Sequence, residues 1–183
     1  GYEADDCIGT FAKRMQNDAK ITILTGDRDL LQLLDENIEV QILQKGFGNY
    51  NHYSHTSFIE EMGITPNQFI DVKALMGDTS DGYPGVKGIG EKTAMKLIQE
   101  YGTIDELLKN LERLTPGQRK KIEEDMEMLH LSRKLARIHC EVPIEFSLET
   151  VIRKQIPNTF IDMIDELELK SIRRHLIKSK WLE

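Results

Sequence analysis

The sequence predicts an α/β fold: a partial, mostly parallel central sheet with flanking helices, followed by an all-helical region. Two observations carry that expectation. Helix and strand periodicities alternate through the first 43 residues, and beyond a turn at Gly46 and Gly48 and a short polar segment the pattern is helical almost to the end. Size supplies a third. A chain of 183 residues, 39% hydrophobic and 30% charged, suits one sizeable domain or a domain with a small appendage, and excludes wholesale disorder and collagen-like fibres. No apolar run approaches the roughly 18 residues of a membrane span. Cys7 and Cys140 lack the spacing of a disulfide framework or a zinc knuckle and read as ordinary thiols of a reducing cytoplasm.

Taken in order, Ala4, Ile8, Phe11, Ala12 and Met15 recur at spacings of three and four and predict a helix over 3–16, with acids in its first turn where the macrodipole favours them. Lys20 to Thr25 reads as a short buried strand. If that strand is central, Thr25-Gly26-Asp27 falls at its carboxyl end, where α/β layers bind ligands. A second helix begins near Asp27, with Leu30, Leu31, Leu33 and Leu34 as its apolar side, and 38–43 alternates as another strand. The segment with Tyr50, His52, Tyr53 and His55 reads as polar connection, a poor candidate for base stacking, which needs defined geometry. Thr56 and Thr65 are expected helix caps, Thr65 backed by Pro66 at the first helical position, and Gly102-Thr103 closes one helix and opens another. Ile122, Met126, Leu129, Leu135 and Ile138 predict a helix over 118–138, and 159–182 reads as two short helices, with Trp181 as a packing anchor. His130, His139 and His175 receive no role. The expected division is 1–62 for the α/β part and 63–183 for the helical part.

The strongest chemical signal is the run Gly77-Asp-Thr-Ser-Asp-Gly-Tyr-Pro-Gly-Val-Lys-Gly-Ile-Gly-Glu-Lys-Thr-Ala94, in which two acids precede a glycine-rich hairpin that opens a helix. Glycines at 85, 88 and 90 permit positive φ and close approach, so main-chain amides and the helix start can face a phosphate, with Lys87, Lys92 and Lys96 adding charge. Nothing in the hairpin is shaped to read base edges, so the contact would be to sugar-phosphate backbone and indifferent to sequence. The net charge of −7 argues against a polyanion as partner until the acids are located. Seven of them, Glu3, Asp5, Asp6, Asp27, Asp29, Asp78 and Asp81, sit in three short clusters, and setting these aside leaves 24 acids against 24 bases. Such carboxylates suit Mg2+ or Mn2+, and two such ions about 4 Å apart can support phosphodiester hydrolysis. Any one cluster alone reads as easily as a helix cap or dipole complement. Glu3 and Asp6 share a helix face whereas Asp5 points about 100° away, so not every acid can be a direct ligand.

Four blocks, Gly1-Tyr-Glu-Ala-Asp-Asp6, Leu24-Thr-Gly-Asp-Arg-Asp-Leu-Leu-Gln-Leu-Leu34, Gly77-Asp-Thr-Ser-Asp81 and Gly85-Val-Lys-Gly-Ile-Gly-Glu-Lys-Thr-Ala94, resemble in order and spacing the 5′-nuclease family, which includes the 5′→3′ exonuclease domain of bacterial DNA polymerase I, stand-alone bacterial exonucleases and flap endonucleases. The resemblance weakens after about Pro143. It implies a divalent-metal phosphodiesterase acting near 5′ ends and flap junctions in replication and repair, with Glu3, Asp5, Asp6, Asp27, Asp29, Asp78 and Asp81 around two ions. It also implies a helix-hairpin-helix (H3TH-type) element at about 66–101 that grips duplex DNA through Gly85, Lys87, Gly88, Gly90, Lys92, Thr93 and Lys96. A K+ ion would sit on main-chain carbonyls near Val86 and Ile89. Water, rather than a side chain, would be the nucleophile. Family members begin with a strand ending in a ligating aspartate and carry a basic helical arch, and neither is in this sequence. The first metal position is therefore expected to be incomplete, and the isolated chain to bind duplex DNA while cutting it poorly. A catalytically incomplete DNA-binding module is the competing reading; an RNA-directed nuclease is a weaker one, disfavoured by the hairpin. A cytoplasmic monomer is expected, with a DNA polymerase domain as partner in cis or trans.

Overall fold

A computed structural model describes residues 1–46, 48–152 and 156–179, which divide into two compact units, Gly1–Pro143 and Ile144–Glu183. Trp181 and the last residues of the helix expected to reach Leu182 lie outside the described residues.

In the first unit, helix α1 (Ala4–Met15) leads into strand β1 (Ile21–Thr25), which pairs in parallel with β2 (Ile38–Leu43) from Ile21↔Ile38 to Thr25↔Ile42. The crossover runs through a 3-10 helix, Arg28–Leu33, where the leucine pattern predicts an α-helix. A parallel crossover usually takes a dozen or more residues. This one is at the short limit, and the greater rise of a 3-10 turn, about 2.0 Å per residue, covers the distance with fewer of them. Asp27 caps that turn, its Oδ1 accepting the Asp29 N–H at 2.8 Å. The tight winding buries Asp29, Leu30, Leu31, Gln32 and Leu33 together.

Two further corrections concern the stretch after β2. Tyr50–Tyr53 is a third strand, β3, antiparallel to β2, and the sheet order β1-β2-β3 makes β2 central and β1 an edge among the described residues. The polar sequence concealed it because most of β3 is exposed, and its His52 ring lies 3.0 Å from Glu39 of the neighbouring strand. Helix α2 (His55–Met62) is capped by Ser54, not Thr56: the Ser54 hydroxyl accepts the Ser57 N–H, and the Ser57 hydroxyl accepts the Ser54 N–H in return.

Helix α3 (Pro66–Met76) is the structural centre of the helical part. Thr65 caps it as expected, with Pro66 at its start, and Phe69, Ile70, Val72, Ala74 and Leu75 are buried. Two charged residues, Asp71 and Lys73, are buried beside them. Asp71 is satisfied on several sides: it accepts from Arg133 Nε and Nη2 and from the Ile104 N–H. That network ties α3 to the start of α5 (Ile104–Lys109) and to α7 (Met126–Leu135). Helix α4 (Glu91–Tyr101) closes at Gly102, and Thr103 caps α5, as the sequence predicts. The expected helix over 118–138 is two, α6 (Pro116–Glu124) and α7, broken at Asp125. The Asp125 carboxylate accepts the Lys87 N–H at 2.7 Å, a side chain-to-backbone bond beside the break.

The chain after α7 lies against α1. The Val142 N–H donates to Thr10 Oγ1, Arg14 Nη2 donates to the Val142 carbonyl, and the Ile138 N–H donates to Gln32 Oε1. A Cβ at Gly9 would meet Cys140 Sγ and Ile138 Cγ2 at 2.9 Å, so this close approach requires glycine. The second unit contains the short helix α8 (Leu148–Val151) and the pair α9 (Asn158–Glu166) and α10 (Lys170–Lys178), which turn at Glu168 and are joined by Arg173 Nη1 to both oxygens of Asp165. No helix among the described residues is long and apolar enough to cross a membrane.

Candidate metal centre and hairpin

The loop from Gly77 to Gly85 is what brings the acids together. Gly77 ends α3 with φ +73°, and the loop returns so closely that a Cβ at Gly85 would lie 2.3 Å from the Gly77 nitrogen. Asp78 and Tyr83 exchange both backbone hydrogen bonds, at 2.9 and 3.0 Å, and the Val86 N–H reaches back to the Leu75 carbonyl. Closed in this way, the loop presents Asp78, Asp81 and Tyr83 towards the 3-10 turn that carries Asp27 and Asp29.

Two adjoining clefts result, sharing Asp29. One, of about 100 Å³, is lined by Glu3, Asp5, Asp6, Asp29 and Asp81, together with Tyr83, Leu135, Arg137 and Ile138. The other is lined by Asp27, Asp29 and Asp78 with Gly26, Arg28, Lys73, Ser80 and Glu91. All seven acids named from the sequence thus border these clefts. Oxygens of Asp29, Asp78 and Asp81 lie within 4.8 Å of one another, close enough for one cation.

Their roles differ. Asp6 uses both oxygens on backbone amides, Oδ2 accepting the Glu3 N–H and Oδ1 the His139 N–H, so it holds the start of α1 and the 137–142 segment in place. His139, given no role from the sequence, stacks on Tyr2 with the rings 9° from parallel. Asp5 points into the acid group. Its carboxyl is held above the usual range by burial first, and then by the like charges of Asp27, Glu3, Asp81 and Asp6.

The sequence reading missed Lys73. Its Nζ lies 2.6 Å from both Asp29 Oδ1 and Asp78 Oδ2 with the side chain only 8% exposed. Lys73 thus forms an ion pair with each carboxylate, and a hydrogen bond to Asp78. The two carboxylates respond in opposite directions. Burial raises Asp29 to about 6 despite Lys73 and with Asp27 and Asp81 adding to the rise, whereas the hydrogen bonds from Lys73 and from the Ser80 hydroxyl and amide hold Asp78 well below the carboxylate range. For Lys73 itself burial favours the neutral amine, but the Asp29 and Asp78 carboxylates outweigh it and keep the ammonium charged. A lysine in an otherwise apolar helix stretch was the available signal, since buried lysines are almost always paired.

The site suits a hard divalent cation. The donor set is carboxylate oxygen, the acids repel one another, and the Tyr83 hydroxyl, buried beside them, has no hydrogen-bond partner among the described residues. At the hairpin, only part of the expected donor set is available. The Gly85 N–H is taken by Ser132 Oγ and the Lys87 N–H by Asp125, so Gly85 serves the close approach to Gly77 rather than an outside ligand. Gly90, which caps α4 without a side chain, and the exposed Lys87, Lys92 and Lys96 remain turned to solvent, with none of the three lysines in an ion pair among the described residues. Thr93 is half-buried. Lys121 Nζ donates to the Gly88 carbonyl at 2.9 Å, while the Val86 carbonyl accepts the Ile89 N–H.

An α/β layer whose acids meet a glycine loop is followed by a helical hairpin, and comparison with known proteins identifies the family that shares this two-part architecture. Residues 1–63 match the family model of the 5′-3′ exonuclease N-terminal resolvase-like domain, and residues 64–159 that of the 5′-3′ exonuclease C-terminal SAM fold. The chain belongs to the 5′-3′ exonuclease family. It is 54% identical to the 5′-3′ exonuclease of Bacillus subtilis over 97% of its own length and 60% of that protein's. It is 45% identical to DNA polymerase I of Lactococcus lactis subsp. cremoris over 84% of its length, which is 18% of the polymerase. Among solved structures, the T5 5′-exonuclease with bound divalent zinc ions superposes with a TM-score of 0.66 at 25% identity, covering 76% of this chain and 51% of that one. The chain therefore spans 60% of the Bacillus relative and about half of the T5 enzyme.

Proposed function

We propose that the chain is part of a metal-dependent 5′→3′ exonuclease and flap endonuclease that hydrolyses DNA phosphodiester bonds near 5′ ends and flap junctions during replication and repair. The observation that carries this reading is the convergence of Asp29, Asp78 and Asp81 within 4.8 Å, next to a hairpin with an unpaired basic face. Asp5, Asp27, Asp29, Asp78 and Asp81 would hold the divalent ions, Mg2+ or Mn2+, with Glu3 at the edge of the set and Asp6 as the clamp on α1. Bound there, such ions would neutralise charge on the phosphate and lower the pKa of an attacking water. What the protein supplies is position. Lys73 fixes Asp29 and Asp78, the closed loop fixes Asp81, and no side chain is required as nucleophile.

Duplex DNA would lie along the hairpin, its backbone phosphates meeting the Gly88 and Gly90 turn and Lys87, Lys92, Thr93 and Lys96, largely regardless of sequence. A K+ ion on the Val86 and Ile89 carbonyls belongs to the same proposal; Lys121 already brings positive charge to the neighbouring Gly88 carbonyl. The proposed form is a cytoplasmic monomer, acting with a DNA polymerase domain in cis or in trans, an arrangement supported by the relatives named DNA polymerase I.

The test is magnesium-supported cleavage of a 5′-flapped duplex by this chain and by a version extended to its relatives' full length. The extended protein cuts at the flap junction and the shorter one cuts less. In either, replacing Lys92 and Lys96 by alanine lowers the slope of log affinity against log salt by about two, one phosphate contact each. A slope left unchanged refutes the hairpin assignment, and absence of cleavage in the extended protein refutes the activity.

A pH dependence follows from Asp29. Its carboxyl titrates at about 6, so below that value a proton competes with a divalent ion for the shared oxygen, whereas above it the carboxylate is already free of its proton. Mn2+ affinity by calorimetry is expected to be level above pH 7 and to fall up to about tenfold per unit below pH 6. A profile flat down to pH 5 would remove Asp29 from the ligand set.

A further inference from the structure

Tyr83 stands out among the residues bordering the acid cleft. It is 2% exposed, its ring packs with Ile70 and Ala136, and both its backbone hydrogen bonds go to Asp78, so ring and hydroxyl are held in one place. The hydroxyl lies among the charges of Lys73, Asp29, Asp78 and Asp81, yet it has no hydrogen-bond partner among the described residues. Phenylalanine would fill the same apolar wall without leaving a donor unmade, and an unmade buried donor is costly. The hydroxyl therefore calls for an acceptor from outside the described residues.

Two properties of the site say what that is. The cleft is small, about 100 Å³, and its carboxylates repel a nucleotide's phosphate. Its other lining groups are mostly carboxylates, which accept but do not donate, and small divalent cations give up their waters reluctantly. We infer that Tyr83 is a positioning residue for the metal site, donating its hydroxyl hydrogen bond to a water oxygen carried into the cleft with the divalent ion. This rests on the metal-binding reading proposed above and adds to it a donor from outside the carboxylate set.

The experiment is Mn2+ binding, by calorimetry without DNA, to the wild-type chain and to Tyr83→Phe, with melting of both in metal-free buffer. The expected result is a Kd weakened about five- to tenfold by loss of one hydrogen bond, with the metal-free melting temperature unchanged or raised because an unpartnered hydroxyl is gone. A Kd within twofold of wild type overturns the inference, and a lowered melting temperature alongside it identifies the hydroxyl's partner as a permanent structural water. A wild-type chain that takes up no Mn2+ at millimolar concentration overturns the metal-binding reading and this inference together. Binding by the wild type with no difference in Tyr83→Phe sinks only the inference.

Discussion

Asn in place of Asp29 is expected to lower flap cleavage by the extended protein by about 10²–10³-fold, the scale on which removing one preorganised electrostatic group acts, while duplex affinity measured without divalent ions changes less than about threefold. Asp29 is singled out because it borders both clefts and is the most buried member of the Asp29, Asp78 and Asp81 group. The amide keeps the size of the carboxylate and still offers an oxygen to Lys73, so the fold should survive. What is lost is one negative charge where the cation would sit. The hairpin lysines lie outside both clefts, which is why affinity and cleavage should separate. A fall in cleavage of less than about fivefold would mean that the acids converge for structural reasons, and a parallel loss of affinity would mean that Asp29 acts through the fold. Single-turnover rates at saturating enzyme, paired with anisotropy titrations in EDTA, distinguish these outcomes.

How much of this was legible in the sequence depends on whether the signal was local. The α1 stripe, the β2 alternation, the Thr65-Pro66 cap and the Gly102-Thr103 junction are written within a few neighbouring residues, and each forms as read. The acids were legible as clusters beside a strand end and a glycine turn, and their meeting around ions was implied by the resemblance to the 5′-nuclease family. What stayed hidden depended on distant partners. The pattern of Arg28–Leu33 is compatible with either helix type, and the shortness of the crossover decides for 3-10. β3 has almost no apolar face to betray it. Asp125 breaks what reads as one long amphipathic stripe, its carboxylate bonding the distant Lys87 amide. The segment after α7 forms no helix, and its hydrogen bonds to Asp6, Thr10 and Gln32 place Arg137 and Ile138 at the cleft. Lys73 could be flagged as odd within an apolar helix, but its two carboxylate partners lie 44 positions before it and five after it, and only the folded chain names them.

Lys73 is also where the largest stability effect is expected. Lys73→Met keeps the length and apolar stem of the side chain and removes the charge, leaving Asp29 and Asp78 without the ammonium that separates them. Breaking a buried pair from one side typically costs about 3–5 kcal/mol, and a loss of that order at pH 7 should appear as a lowered denaturation midpoint in metal-free buffer. The sign of the pH dependence follows from the two carboxylates. Asp78, held low in the native protein by Lys73, contributes stability above the ordinary carboxylate range that is lost as pH falls through its depressed pKa. Asp29, raised to about 6, carries the opposite contribution: its ionised form is disfavoured in the fold, so the penalty is present above pH 6 and relieved below the unfolded carboxylate value. In Lys73→Met both carboxylates lose their cation and both rise, so the gap to wild type should be widest at pH 7 to 8 and narrow towards pH 5 as they take up protons. Mn2+ should narrow it too, raising the midpoint of the variant more than that of the wild type, because a divalent ion between the same oxygens replaces the missing charge. A gap independent of both pH and Mn2+ would show that Lys73 matters for its packing against α3's neighbours alone, and that the carboxylates it touches do not share the electrostatic site assigned to them.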